Sequence, residues 1–559
     1  MLMAVVADEN GGGCLQPVGV DGTPAGPPES VDDLAAAVAA RERQDRPRWV
    51  WASTAAIYPP LLRAGVRVDR CHDLELTEAL LLGHAGRWGE PRSLAAAWAR
   101  LAGAPVPTDP PPRPPAPTDG QGTLFEPVPA SSPAANPDLL PVTVAVYADQ
   151  QARLARIEQP GRFRLLVAAE SASALIAEEM SAAGLPWRAD LHDRLLVELL
   201  GAPSRLGGPP RKLVELTERI AAAFGVRQLH PESPAEVLRA FARAGITLPN
   251  TRAWVLRGVD HPAVPLLLEY KELYRIWTAH GWAWRDAWVR DGRFRPEYVP
   301  AGVVSGRWAT RGGGALQIPK VIRRAVVADP GWCFVIADAG QLEPRILAAV
   351  SGDARLAAAA GTGDLYTALA RDAFDGDRAR AKLALLGAMY GQTGGAAVPA
   401  LAALRRSYPT AFDFVETAAR TGEAGGLVRS WLGRTCPPSS KKSDPEGEHD
   451  PHDDADTSQI RAAARARGRF TRNFVIQATA AEWAATLLAT LRGRLAGTGA
   501  ELVFFQHDEV LVHCPAAQAD AVAGMVQAAG VRASRLLFGD TPVRFPLSVS
   551  IVDCYGDAR

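Results

Sequence analysis

The chain has 559 residues, 47% apolar and 22% charged, and its 61 Lys and Arg are balanced by 61 Asp and Glu. Such a composition excludes collagen-like, coiled-coil and wholly disordered chains and fits about three to four globular domains. Zero net charge excludes a protein that is basic all over, while leaving room for a local basic cleft. The six cysteines, Cys14, Cys71, Cys333, Cys436, Cys514 and Cys554, are scattered without a Cys-x-x-Cys pair. Neither a zinc site nor a disulfide framework is expected, and reduced thiols fit a cytoplasmic setting. The first residues lack a basic, apolar leader, and no window holds about 18 uninterrupted apolar residues, so no membrane span is expected.

Residues 1–103 mix short strand-like runs (AVVA, RWVWAS) with helical ones (VDDLAAAVAARE, LTEALLLGH, SLAAAWARLAG), which predicts a small α/β unit. Residues 104–137 carry twelve prolines and read as a disordered linker. From about 138 to 290 the pattern is mainly helical, with breaks at GAPSRLGGPP and ITLPNT. EYVPAGVV and CFVIADA are strand candidates, and helices follow over 342–430. Residues 437–459 set seven acids against two lysines and read as a solvated insert, which makes His449 and His452 poor metal candidates. A helix is predicted over 460–494, then a strand–turn–strand in ELVFFQHDEVLVH.

Three separated segments share one chemical logic. Asp338 ends the apolar run CFVIAD. Arg378, Lys382, Leu386 and Tyr390 recur every fourth residue, on one face of a helix. His507, Asp508 and Glu509 sit at a turn between VFF and VLV. Two carboxylates brought together at strand ends suit two Mg²⁺ ions, and a cationic helix face suits a triphosphate. Each signal is weak alone, since a lone HDE is usually a polar turn and a lone R-x3-K a solvated face.

In this order the segments resemble the three motifs of the family A DNA polymerases, of the bacterial DNA polymerase I type. The first reads D-A-G-Q-L-E-P-R from Asp338 to Arg345, the second runs from Arg378 to Tyr390 and Gly391, and the third is His507-Asp508-Glu509. SGRWAT with Arg307, LQIP with Gln317, and Arg469, Asn473 and Gln477 at i, i+4, i+8 add further matches. The resemblance covers roughly 165–559. It implies an α/β (α+β) multidomain right hand, with the thumb at 161–290, the palm at 291–350 and 471–559, and the fingers at 351–470. It implies that Asp338 and Asp508 carry two Mg²⁺ ions, for which Mn²⁺ could substitute, with Glu509 as a third carboxylate. Lys382 and Arg378 would meet the nucleotide phosphates, and Tyr390 would stack at the nascent pair. Gln341, Glu343, Tyr366 and Leu386 would complete the nucleotide site, with Glu343 crowding the sugar 2′ position. Arg307, Gln317, Arg469, Asn473, Gln477 and His507 would contact primer–template DNA. Arg465, Arg467 and Arg472 would add charge for phosphates. The sequence departs from the family pattern at Ala339, Gly340 and Pro344, at Leu386 in place of an aromatic residue, and at Tyr366 in place of a histidine.

The resemblance also implies that residues 1–160 hold a ribonuclease-H-like 3′–5′ exonuclease domain, in degenerate form. Its D-x-E reads Ala7-Asp8-Glu9, and the other two acidic positions fall near Ile57 and Tyr147. Asp73-x-Glu75 reads as a helix start rather than a nuclease carboxylate pair. No 5′-nuclease unit is expected ahead of this domain. In the linker, Gln121, Leu124 and Phe125 resemble the Q-x-x-L-F peptide that binds the bacterial sliding clamp. The expected protein is a monomeric, cytoplasmic, nucleoid-associated DNA polymerase acting on primer–template DNA and dNTPs, without proofreading. The alternatives are a catalytically weak DNA- and clamp-binding accessory protein, or a polymerase with residual exonuclease.

Overall fold

The computed structural model describes residues 1–111, 139–204, 207–311, 313–314, 318–391, 397–438, 454–506 and 508–558, with the backbone alone for 397 and 454–459. The N-terminal unit is a five-stranded sheet in the order β3-β2-β1-β4-β5. β1 (Leu2–Ala7), β2 (Gly13–Val18) and β3 (Glu29–Val31) form an antiparallel meander, and β4 (Arg48–Trp51) and β5 (Arg70–Asp73) continue it in parallel. α1 (Leu34–Gln44) and α2 (Thr54–Arg63) link the strands, and α3 (Leu74–His84), α4 (Leu94–Ala102), α5 (Leu139–Ala155) and α6 (Pro160–Ala183) follow. α1 and α3 start where a helix start is chemically cheapest. Asp33 accepts from Ala36 N, and Asp73 from Leu76 N.

The next segment is helical: α7 (Ala189–Leu200), α8 (Arg211–Ala223), α9 (Pro234–Arg243), α10 (Ala253–Leu256), α11 (Ala263–His280) and α12 (Trp282–Trp288). Short strands border it: β6 (Leu185–Pro186) pairs with β8 (Arg293–Phe294), which pairs with β7 (Val289–Arg290), and β9 (Glu297–Val299) pairs with β10 (Ala309–Arg311).

The C-terminal part is built on an antiparallel sheet in the order β12-β13-β11-β14. Its strands are β11 (Trp332–Ala339), β12 (Glu501–Gln506), β13 (Glu509–Pro515) and β14 (Leu547–Val552). Between β11 and β12 lie α13 (Leu342–Val350), α14 (Ala354–Ala360), α15 (Leu365–Ala373), α16 (Arg378–Tyr390), α17 (Ala397–Ser407), α18 (Pro409–Glu423) and α19 (Asp454–Leu495), while α20 (Ala519–Phe538) connects β13 to β14. β11 is central and buried on both faces, which is why CFVIA is apolar without alternation. Cys333, Val335, Ala337 and Ala339 enter a core with α13, α19 and α20. Phe334 and Ile336 point the other way, into a core with α7, α8 and α11. By this period-two logic Asp338 shares the face of Phe334 and Ile336, where that second core gives out.

Two of the sequence-drawn boundaries fall within helices. The line at 160/161 meets the first turn of α6, whose buried side packs against α2 and β5 and also against α19 and β12. The line at 470/471 cuts α19, a continuous 42-residue helix. A stretch of α19 is apolar enough to cross a membrane by length and composition, yet 83% of it is buried within the protein. α20 and β14 carried no sequence expectation. The prolines and the acidic insert lie largely outside the described residues.

Burial holds the Glu482 carboxyl, on α19, up at about 7, against the opposing pull of the Ser430 hydroxyl, Arg434 and the Leu432 N–H. A carboxyl raised on folding stabilises fully below its unfolded value of 4.5 and loses that contribution as pH climbs to about 7. The expected slope is at most about 1.4 kcal/mol per pH unit. Denaturant titrations at pH 5 and pH 8 are expected to differ less for Glu482→Gln than for wild type; an equal difference contradicts this.

Candidate active site

The register of the C-terminal sheet sets the site. Asp338 at the end of β11 lies directly opposite Glu509 on β13 and Ser548 on β14. Asp508 occupies the β12–β13 turn, and its carbonyl accepts from Ala339 N at 3.1 Å. Partial burial and then the neighbouring Asp508 and Glu509 push the Asp338 carboxyl up to about 6. Burial also raises Asp508, against the opposing charge of Arg307. Glu509 is held from the far side, by the Tyr555 hydroxyl and by Arg323 at 3.6 Å. This donor set fits a divalent cation: two hard oxygen ligands whose mutual repulsion a cation would relieve. Among the described residues no three side chains are already gathered as a metal cluster.

Beside the carboxylates, Glu343 in the first turn of α13 joins two segments. Arg307 donates to one of its oxygens and the Tyr390 hydroxyl to the other, the latter at 2.5 Å. Arg307, Glu343 and Tyr390, expected in separate roles, therefore form one cluster. Pro344 falls in that same first turn, where a missing N–H costs nothing.

α16 starts on Asp377, which accepts from Arg380 N, and ends at Gly391 in the left-handed region. Lys382 and Tyr390 are exposed, with half-buried Leu386 between them. Arg378 is tied to Asp364 at 2.7 Å. Partial burial pushes the Asp364 carboxyl up, but the Arg378 and Thr367 hydrogen bonds outweigh this and hold it down at about 2. Tyr366 is buried under both cations, with Arg378 5.5 Å and Lys382 5.9 Å from its ring centre. Gly391 is favoured by its φ of +68°, and a Cβ there would also press on the Arg469 side chain, 3.0 Å away at Cγ.

Arg469, Asn473 and Gln477 form the stripe that stays at least partly exposed on the otherwise buried middle of α19. Asn473 Oδ1 has no hydrogen-bond partner among the described residues, which suits a group that meets a ligand. Arg472 is not phosphate-facing charge: it is buried, donates to Ala388 O at 3.1 Å and pairs with Glu416, because it lies on the inward side of the helix. Gln341 is turned inward too. Its side-chain oxygen accepts from Leu365 N at 2.9 Å and from Arg345 at 3.3 Å. Gln317, His507, Gln121, Leu124 and Phe125 lie outside the described residues.

The residue that sequence reasoning left without a role is Arg345. It is 1% exposed. Its guanidinium donates to the carbonyls of Gly340, Ala360, Gly363 and Arg544 as well as to Gln341. Four of the five acceptors are backbone atoms, so no side-chain pattern announces them. Asp364 was also missed, although an aspartate before a helical run is a visible cap signal.

In the N-terminal unit, Asp8 Oδ1 accepts from Asn10 N and Gly12 N, and so belongs to a turn. Asp73 caps α3 and accepts from Thr54 N at 2.7 Å, as a helix-start residue should. Ile57 and Tyr147 offer no carboxylate.

The motif order, the sheet and the paired carboxylates Asp338 and Asp508 together point to one class of protein. DNA polymerase family A matches residues 210–552, more than half of the chain. Similar proteins include the thermostable DNA polymerase I of Thermus aquaticus, 28% identical over 325 residues that cover 54% of this chain and 37% of that protein. The DNA polymerase I of Chloroflexus aurantiacus is 34% identical over 147 residues, covering 23% and 16%. The polymerase domain of Pol1 from M. smegmatis, solved with DNA primer–template and dNTP, superposes with a TM-score of 0.69 at 19% identity, covering 99% of this chain and 95% of that one. The chain belongs to DNA polymerase family A. Its match spans little more than a third of the Thermus protein's length.

Arg345→Met leaves five acceptors without their donor. It is expected to cost about 3–5 kcal/mol in denaturant titration, because buried carbonyls stripped of a charged donor are expensive. A loss below about 1 kcal/mol, the range of an ordinary surface change, would refute the hub role.

Proposed function

We propose that the chain is a template-directed DNA polymerase that adds dNTPs to a primer 3′ hydroxyl. The supporting observation is the placement of Asp338 and Asp508 at one end of the C-terminal sheet, beside the Arg307–Glu343–Tyr390 cluster and the cationic face of α16. Asp338 and Asp508 would hold two divalent cations, Mg²⁺ or Mn²⁺, which supply charge neutralisation for phosphoryl displacement. Lys382, exposed on its helix, would meet triphosphate oxygens and give a proton to the leaving pyrophosphate. Arg378 meets the same triphosphate on release from Asp364. Glu343, held by Arg307 and Tyr390 until the nucleotide arrives, crowds the sugar 2′ position, and Tyr390 presents a ring to the nascent pair. Arg307, Arg469, Asn473 and Gln477 line the path of the duplex, joined by Gln317 and His507 in the motif pattern. The reading assigns thumb, palm and fingers as drawn from the sequence, with the N-terminal sheet as an exonuclease-like domain lacking its carboxylates and hence without proofreading. The Q-x-x-L-F peptide at Gln121, Leu124 and Phe125 supports docking to a sliding clamp, and gap filling in repair is the corresponding role.

The test is primer extension on a gapped duplex with Mg²⁺ and with Mn²⁺. Asp508→Ala is expected to lose extension roughly a hundredfold or more while still binding DNA, the scale of removing a metal's share of charge stabilisation. No extension by wild type with either metal, with DNA binding retained, would move the reading to an accessory protein. A labelled primer without dNTPs is expected to keep its length; metal-dependent shortening would overturn the loss of proofreading.

A further inference from the structure

A cleft of about 750 Å³ opens in the N-terminal unit, far along the sequence from the carboxylates of the C-terminal sheet. Leu2, Arg48 and Arg70 are the first residues of β1, β4 and β5. The parallel register sets them in one row, Leu2 opposite Arg48 and Arg48 opposite Arg70, so all three side chains leave the same face. Tyr147 of α5 and Arg164 of α6 also line the cleft, which is open to solvent. The row lies at the starts of the parallel strands, whereas Asp8 and Asp73 lie at or beyond the strand ends.

Three guanidiniums line the cleft, and none pairs with a carboxylate among the described residues. Arg48 donates to Cys71 O at 3.1 Å and Arg70 to Arg46 O at 3.5 Å, and Arg164 is exposed. The one acid in the wall, Asp21, is occupied by the Thr23 N–H and hydroxyl, at 3.1 and 2.7 Å. Burial, and then the like charge of Arg70, disfavours the charged form of Arg48, a cost that a bound anion would remove. Planar guanidinium forks match the oxygens of a phosphate, and the open cleft has room for a nucleotide-sized molecule.

We propose that this cleft binds a nucleotide-sized phosphorylated ligand, with its phosphate seated among Arg48, Arg70 and Arg164. The proposal is independent of the polymerase reading. The phosphate could belong to a free mononucleotide or to the 5′ end of a strand.

The test is calorimetric titration of the full chain in EDTA, which silences metal-dependent nucleotide binding. The probes are dAMP against deoxyadenosine, and octathymidylate with against without a 5′ phosphate. Phosphate-dependent binding is expected in at least one pair. A preference confined to dAMP assigns the mononucleotide, and one that includes the octamer assigns the strand end. The exposed pair Arg70→Glu/Arg164→Glu is expected to weaken it at least about tenfold, since two charge-assisted contacts are reversed, with unchanged melting temperature and primer extension. Arg164→Ala alone, a mild change on a helix surface, is expected to weaken it less. Binding blind to the phosphate in both pairs, or undiminished in both folded variants, overturns the proposal.

Discussion

A single buried guanidinium organises the end of the C-terminal sheet that carries Asp338 and Asp508. Arg345 ties the turn after β11, the C-terminal end of α14, the start of α15 and the segment entering β14 to one planar donor group. A guanidinium taken out of water at this depth is tolerable only if its N–H groups are answered, and here five acceptors answer them. The geometry also explains Gln341, which sits at a φ of +59° that a non-glycine residue adopts at a cost. Its side chain shares Arg345 as a partner, so the strain is offset where it arises. Asp338 and Glu343 flank this knot, and their spacing along the chain becomes a fixed relation in space.

Around that knot the polar groups are engaged in two different ways. Arg345 and Arg472 are buried and fully committed to the scaffold. Arg378 and Tyr390 are engaged at the surface, with Asp364 and Glu343, through contacts that solvent weakens. Surface pairs of this kind exchange readily for a charged ligand, whereas the buried pairs do not. The division separates what sets the site's shape from what is free to respond to a substrate.

Much of this was legible in the sequence. Asp338, the four-residue stride of α16 and the hairpin carrying Asp508 follow from apolar period and spacing, because each is local. The Asp73 cap was readable for the same reason. The fate of Arg472 and Gln341 was not: each belongs to a recognisable stride or motif, but which side faces the core depends on helices distant in sequence. The Arg345 network was illegible because its acceptors are carbonyls, which every residue carries. β14 was missed because it is an edge strand whose half-exposed, serine-interrupted pattern resembles a loop.

α6 has a bearing on how this chain could have evolved. One side of it faces the N-terminal sheet and the other faces α19 and β12, and Arg492 of α19 reaches Glu179 on α6 at 2.7 Å and the backbone of Asp69 at 2.6 Å. Tyr58 of the N-terminal unit donates to the same glutamate at 2.5 Å. The N-terminal sheet is thus a wall of the C-terminal core as well as a unit of its own. Selection can discard its chemistry one side chain at a time, but cannot delete the sheet without stripping a face of α6 bare. The sheet is therefore held in place by what it does for its neighbour, whatever its own surface binds.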